Sequence, residues 1–106
     1  MIVVNLTPHP IDVIIDGKVS ETISPSDMPK PRLSTQDVEV GSVLGVPLVR
    51  REYGQTENLP DPQSDVCYIV SGLILSANTG RKDLLVPNTV RDKDGRIIGC
   101  DSFATN

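Results

Sequence analysis

The sequence predicts a mostly β (α+β) fold: one small domain over residues 1–106, with seven to nine short, largely antiparallel strands. Two observations lead to this fold class. Val, Ile and Leu concentrate in short runs, which is typical of strands. The dipeptides Asp16-Gly17 and Asp94-Gly95 each separate two such runs, and dipeptides of this kind favour tight hairpin turns. One short helix near residues 71–78 completes the prediction.

The first strands lie at the amino terminus. Residues 2–6 form a strand that ends at Thr7-Pro8, because proline has no backbone N–H to donate. Residues 11–15 and 19–24 form the two strands of a hairpin around Asp16-Gly17, a turn that needs positive φ.

A proline-rich stretch follows, residues 24–34 (SPSDMPKPRLS). It suits neither a helix nor a central strand, so we expect a surface excursion or an arm. Two more strands are predicted at about residues 37–43 and 46–53, with Pro47 marking the second as an edge strand. Residues 54–65 (GQTENLPDPQSD) are predicted to form a long polar loop, and such loops are usually functional or mobile.

The second half begins with an apolar strand at residues 66–70. Ser71 is expected to cap a helix that stops at Asn78-Thr79-Gly80, although a strand continuing through Leu75 fits the same short apolar run. Residues 83–87 form another strand, and residues 89–100 form a hairpin around Asp94-Gly95.

The charge limits the class of partner. The formal net charge is −4, which disfavours a nucleic-acid polymer because phosphate neutralisation requires a basic surface. The cations are uneven: residues 1–49 hold only Lys18, Lys30 and Arg32, whereas five of the seven cations in residues 50–106 are arginines. A local site for a small anion is therefore compatible with an acidic protein.

Cysteine and aromatic usage exclude further classes. Cys67 and Cys100 lie far apart and the chain has one histidine, so we expect no metal site and no cofactor. Neither a charged leader nor a long apolar run is evident, so we expect a cytoplasmic protein with no membrane partner. Only three aromatic residues are available to a core, which favours a homo-oligomer.

The single histidine, His9, lies between Pro8 and Pro10. Catalytic histidines usually work with a second titrating group such as a Cys, a Ser or another His, and this chain has only one histidine. Three interpretations stay open: a turn histidine bonded to backbone, a ligand contact, and a catalytic acid or base.

Several other residues suit an anionic ligand. Ser71 lies at the start of the predicted helix. Backbone N–H groups at this position can bind phosphate, or the serine side chain can act only as the N-cap of the helix. Arg81, Arg91 and Arg96 would bind phosphate groups, or else pair with neighbouring aspartates at the surface. Arg51 and Tyr53 lie on one face of a strand, where the tyrosine would stack on a base.

Three segments carry a resemblance: NLTPHPI near the amino terminus, VCYIVSGLI in the middle, and RKDLLVPNTVRDKDGRIIGCDSF near the carboxyl terminus. Together they resemble a group of small uncharacterised proteins of tailed phages and bacterial genomes. The resemblance implies a phage or prophage origin and no particular activity. In size and β content the chain is also similar to phage anti-defence proteins that sequester cyclic nucleotide or cyclic ADP-ribose signals.

Three functions are compatible with these observations. The leading hypothesis is an anti-defence protein that sequesters a small anionic nucleotide without cleaving it. The phosphates of the nucleotide would contact Arg81, Arg91 and Arg96, and the base of the nucleotide would stack on Tyr53, Tyr68 or Phe103. Asn5, Thr7 and His9 would then supply directional hydrogen bonds. The alternatives are an interaction protein, either a virion accessory or an inhibitor of a host protein, and a nucleotide-signal hydrolase that uses His9.

Overall fold

The chain folds into a six-stranded sheet with one helix and a separate two-stranded ribbon. A computed structural model of the protein describes residues 1–106. In chain order its elements are β1 (Ile2–Asn5), β2 (Ile11–Ile15), β3 (Lys18–Ile23), β4 (Arg32–Val43), β5 (Val46–Glu57), β6 (Val66–Ile69), α1 (Gly72–Ala77), β7 (Leu84–Arg91) and β8 (Ile97–Ala104). The predicted fold class, mostly β with one short helix, is confirmed.

The strand order of the large sheet is β1-β6-β7-β8-β2-β3. The hairpins β2–β3, β4–β5 and β7–β8 are antiparallel and account for most of the paired residues. Strand β1 pairs with β6, β6 with β7, and β2 with β8 in parallel, so long-range contacts join the hairpins β2–β3 and β7–β8 into the large sheet, and β4–β5 stays separate.

The predicted hairpin turns are confirmed. Asp16 and Gly17 have φ of 52° and 77°, the paired left-handed conformation of a two-residue turn. At the other hairpin, Gly95 has φ of 82°, and the Asp92 carboxylate accepts hydrogen bonds from the backbone N–H groups of Asp94 and Arg96. Both turns follow from local sequence because few residue types tolerate positive φ.

Helix α1 begins after Ser71, whose hydroxyl accepts a hydrogen bond from the Ile74 N–H at 3.3 Å. It ends at Asn78, whose N–H donates to the Leu75 carbonyl. The helical interpretation of this segment is thereby confirmed over the competing strand. The helix is six residues long, and no helix of the chain has the length and apolar character needed to cross a membrane.

The core is small and lies at one side of the sheet. Only 8 of the 106 residues are buried, and five of them form one cluster between β1, β6, β7 and α1. The members of the cluster are Leu6, Tyr68, Val70, Ile74 and Leu84. The radius of gyration is 17.1 Å, against about 13 Å expected for a compact domain of this length, so the molecule is elongated.

The elongation arises from the ribbon β4–β5, residues 32–57, which we call the arm; the remaining elements form the body. Each arm strand has 12 residues and is therefore about 40 Å long. The strands predicted at residues 37–43 and 46–53 are correct in place but too short. The loop predicted at residues 54–65 is wrong over its first part, because residues 54–57 belong to β5 and pair with the start of β4.

Candidate functional site

The Asn5 side chain holds together the turn that contains His9. Asn5 is only 1% exposed, and its amide group donates hydrogen bonds to the carbonyls of His9 (2.8 Å) and Ile23 (3.0 Å). Its oxygen accepts from the Thr7 N–H at 2.9 Å and from Thr7 Oγ1 at 2.6 Å. All four hydrogen bonds join β1 to the turn and to the end of β3, so Asn5 and Thr7 maintain the fold here.

His9 itself is exposed, and its ring forms no hydrogen bond or ion pair. The residue is held through its backbone carbonyl, which accepts from both Asn5 and Thr7. The structure therefore places the imidazole at the surface with no second titrating group bonded to it.

Two of the predicted aromatic contacts are covered by protein. Tyr68 is 2% exposed within the core cluster, so its ring cannot stack on a base, which corrects that prediction. Phe103 is partly buried in β8 opposite Pro87. Ser71 uses its hydroxyl as the cap of α1, and this helix is too short to supply a strong anion site at its amino end.

Arg81 forms an ion pair inside the body. Its Nε and Nη2 donate to the two carboxylate oxygens of Asp83 at 2.8 Å each, and Nη2 also donates to the Pro60 carbonyl at 2.8 Å. The two side chains are 20% and 17% exposed. The hydrogen bond to Arg81 holds the pKa of Asp83 below its usual value, and the same bond raises the pKa of Arg81.

The structure places Arg91 and Arg96 on either side of one hairpin turn but separates Arg81 from both of them. Arg81 precedes β7 and Arg91 ends it, and seven steps of about 3.3 Å separate the strand ends by about 23 Å. Arg91 donates to the Gly95 carbonyl, and neither Arg91 nor Arg96 pairs with a carboxylate. Of the predicted surface ion pairs in this region, only that between Arg81 and Asp83 forms.

The second predicted pair of residues lies on the arm. Arg51 pairs with Asp37 across the two strands, with 3.2 Å between Nε and Oδ1, and this hydrogen bond raises the pKa of the arginine. Tyr53 is 53% exposed and lies where the arm meets α1. There it lines a cleft of about 320 Å³, the tyrosine cleft, together with Leu33 and Leu73.

A second cleft, of about 430 Å³, lies between β5 and the end of α1. We call it the arm-base cleft, and it shares Gly54 and Ala77 with the tyrosine cleft. Its polar lining comes from both sides of the junction: Gln55, Thr56, Asn78 and Arg81. Asn78 Nδ2 donates to Thr56 Oγ1 at 2.9 Å, so this contact fixes the arm to the helix at the cleft.

The arm-base cleft contains one predicted residue, Arg81, beside several that the sequence analysis missed. The sequence predicts a loop at Gln55 and Thr56 and indicates only the end of a helix at Asn78. Their shared position depends on the approach of β5 to α1, and no local pattern encodes that contact. No group of three or more His, Cys, Asp or Glu side chains is placed to hold a metal ion.

No protein-family model, curated protein or solved structure matches the chain. The features of the molecule that bear on its function are therefore the two adjoining clefts and the arm.

Proposed function

We propose that the protein binds a small anionic nucleotide in the arm-base and tyrosine clefts and holds it without cleaving it. The observation that carries this proposal is the junction at Gly54 and Ala77. On one side of the junction lies a polar cleft with a guanidinium, and on the other lies an apolar cleft with an exposed aromatic ring.

The polar side suits a phosphate group. Arg81 uses Nε and Nη2 for Asp83 and Pro60, while Nη1 forms no hydrogen bond and keeps two N–H donors for a ligand. The Asp83 pair fixes the guanidinium plane, which reduces the conformational entropy that binding would otherwise cost. Gln55 adds an amide with no hydrogen-bond partner in the protein.

The apolar side suits a base. Tyr53 is half exposed, and the neighbouring Leu33 and Leu73 extend its apolar surface. Stacking on an aromatic ring is worth about 1–3 kcal/mol per base and is tolerant of base identity. At about 430 Å³ and 320 Å³, the arm-base cleft and the tyrosine cleft each lie within the range of about 300–1,000 Å³ that is typical of small-molecule sites.

The lining of both clefts favours binding over turnover. No His, Cys, Asp or Glu lines either cleft, so neither offers a general base at neutral pH. Retention of an intact nucleotide is the action of a sequestering protein. Joined to the sequence resemblance, this supports an anti-defence protein of phage origin that removes a cytoplasmic nucleotide signal.

Titration calorimetry with cyclic mononucleotides, cyclic dinucleotides and ADP-ribose tests the proposal, with the parent nucleosides as uncharged probes. Gln55→Glu places a carboxylate at unchanged volume in the polar cleft. We expect it to weaken nucleotide binding by about ten-fold or more and leave nucleoside binding unchanged. Tyr53→Ala is expected to weaken both.

Gln63→Glu is the matched control, because Gln63 is an exposed glutamine that lines neither cleft. It should bind every probe as the parent does. The proposal is overturned if none of the nucleotides binds the parent at millimolar concentration, or if Gln55→Glu and Gln63→Glu bind them equally.

A second candidate function, an interaction protein, is favoured by the arm. It projects from the body and carries exposed apolar side chains at its end, a combination typical of surfaces that bind another chain.

A further inference from the structure

The far end of the arm is apolar and uncovered. Six aliphatic residues, which we call the apolar tip, are between 45% and 99% exposed: Val40, Val43, Leu44, Val46, Leu48 and Val49. The main contact of the arm within its own chain is with α1, at its opposite end. Nothing in the chain therefore covers the tip.

Leu44 is the most unusual residue of the tip. It is 99% exposed and has φ of 52° at the first position of a two-residue turn. Asn, Asp or Gly is the usual residue there, because a left-handed conformation is unfavourable for a branched aliphatic side chain. A leucine in this place costs conformational energy and exposes apolar surface, and binding of the side chain by a partner would offset both.

The body offers a cleft of matching size and character. It has a volume of about 180 Å³ and lies where β8 diverges from β2, and we call it the sheet cleft. Its apolar lining includes Pro10, Ile11, Pro87, Ile97 and Ile98. An aliphatic cavity of about 150 Å³ accommodates a benzene-sized apolar group, so one leucine side chain fits.

We propose that the apolar tip of one copy docks in the sheet cleft of a second copy, with Leu44 as the inserted side chain. Each copy then gives one arm and receives one. This contact depends on neither the arm-base cleft nor a bound nucleotide, and it is independent of the proposed function.

The area supports a second copy as the occupant. A buried aliphatic side chain removes about 60–120 Å² of apolar surface from water, so the half-exposed tip offers about 300 Å². When two copies exchange arms, each buries its own tip and is contacted by the tip of the other, so the contact area is twice that of a one-way contact. Stable interfaces bury about 800 Å² per partner, and an exchange of arms comes closer to this value than a one-way contact does.

Charge complementarity points the same way. Arg96 directly precedes Ile97 of the sheet cleft and has no carboxylate partner within the chain. On the arm, Glu39 lies opposite Val49 of the apolar tip and likewise has no cation partner. The carboxylate of Asp12, which also lines the cleft, accepts a hydrogen bond from Thr22, so Arg96 is the charge beside the cleft with which a carboxylate of the docked arm can pair.

Light scattering on size-exclusion fractions of the full chain tests the docking at 10–100 μM, roughly the range of a moderate interface. We expect the parent to exceed the 11.5 kDa of one chain. Leu44→Asn removes the inserted side chain and supplies a residue that prefers the turn conformation, so the hairpin is retained. Ile97→Lys charges the sheet cleft. Each substitution should raise the dissociation constant by about ten-fold or more.

Ile2→Lys is the matched control. Ile2 is 60% exposed and Ile97 is 55% exposed, but Ile2 lies in β1 at the far edge of the sheet. This variant should assemble like the parent. Circular dichroism of all three variants should match the parent, which confirms that each is folded.

A mixture sharpens the test. Leu44→Asn retains a sheet cleft and Ile97→Lys retains a tip, so mixing the two should give a heterodimer through one arm that is weaker than the parent assembly. A monomeric parent at 100 μM overturns the proposal and leaves the tip to a different protein. An oligomer that Leu44→Asn disrupts but Ile97→Lys does not also overturns it, because the arms then pair with each other.

Discussion

The body and the arm differ in the burial of their apolar residues. In the body, Leu84 and Ile69 are 0% exposed, and the core cluster packs between the sheet and α1. In the arm, neither β4 nor β5 contains a single buried residue, although valine and leucine are frequent near its end. The arm is held by its backbone ladder, by its turn and by its attachment to α1.

The body therefore contains the packing that stabilises the fold, whereas the arm presents an exposed apolar surface that a partner can bind. An isolated two-stranded hairpin is marginally stable in water, so the arm depends on the body for its anchorage. The body in turn has few buried residues with which to hold its own fold. Burial of the apolar tip by a second copy would add to the stability of both parts, because association stabilises the folded state.

The largest effect on the free energy of unfolding is expected when a leucine of the body and a leucine of the arm are each changed to alanine. Both changes are made in the Leu44→Asn background, so that assembly does not contribute. Leu84→Ala should lower the free energy of unfolding by about 2–5 kcal/mol, because it leaves a cavity in the core cluster. Leu48→Ala should change it by less than about 0.5 kcal/mol, since that side chain is 47% exposed. Urea unfolding measures both. Equal losses would show that the arm belongs to the cooperative core.

An intermediate effect compares the two ion pairs. Asp83→Asn should cost about 1.5–3 kcal/mol at neutral pH, because it removes two charge-assisted hydrogen bonds from the partly buried Arg81. Asp37→Asn should have a smaller effect, because its pair with Arg51 is exposed on the arm.

The same comparison has a pH dependence. The pKa of Asp83 is lowered in the folded protein, so its contribution is complete above the ordinary aspartate pKa of about 3.9 and is lost as the pH falls through the folded-state value. Thermal unfolding from pH 7 to pH 2 should therefore show a steeper acid loss for the parent than for Asp83→Asn. If the melting temperatures of the parent and of Asp83→Asn fell in parallel with pH, Asp83 would not be the source of the acid sensitivity.

The smallest expected effect concerns His9. Its exposed ring has no hydrogen-bond partner, so His9→Ala should change the melting temperature by no more than about 1–2 °C. A nucleotide incubated with excess protein and released by heat should be recovered intact from the parent and from the variant alike. Chromatography of the released ligand decides the point. Cleaved nucleotide from the parent alone would make His9 a catalytic residue.

Sequence reasoning succeeded where structure is determined locally. The turns at Asp16-Gly17 and Asp94-Gly95 depend on residues that tolerate positive φ, and the helix depends on its Ser71 cap. The parallel pairing of β1 with β6 and of β2 with β8 depends on long-range contacts that no short segment encodes.

The candidate site shows the same division. Tyr53 and Arg81 were identified from residue type, but their neighbours Gln55 and Asn78 gained a role only when β5 met α1. Residue type also misassigned Tyr68, because an aromatic side chain suits a core as well as a base. Arg91 and Arg96 were grouped with Arg81 by sequence distance, yet an extended strand places Arg91 far from Arg81.

Pro47 gives the arm a further property. Val43 and Val46 flank a two-residue turn, so Ser42 and Pro47 form the next pair, in which backbone N–H groups point away from the partner strand. The proline therefore removes a donor from the outer edge of β5, next to the most aliphatic part of the chain. Free edges of this kind template fibril growth, and edge prolines are a common protection against it. The arm can thus expose aliphatic side chains with a lower tendency to seed cross-β aggregates.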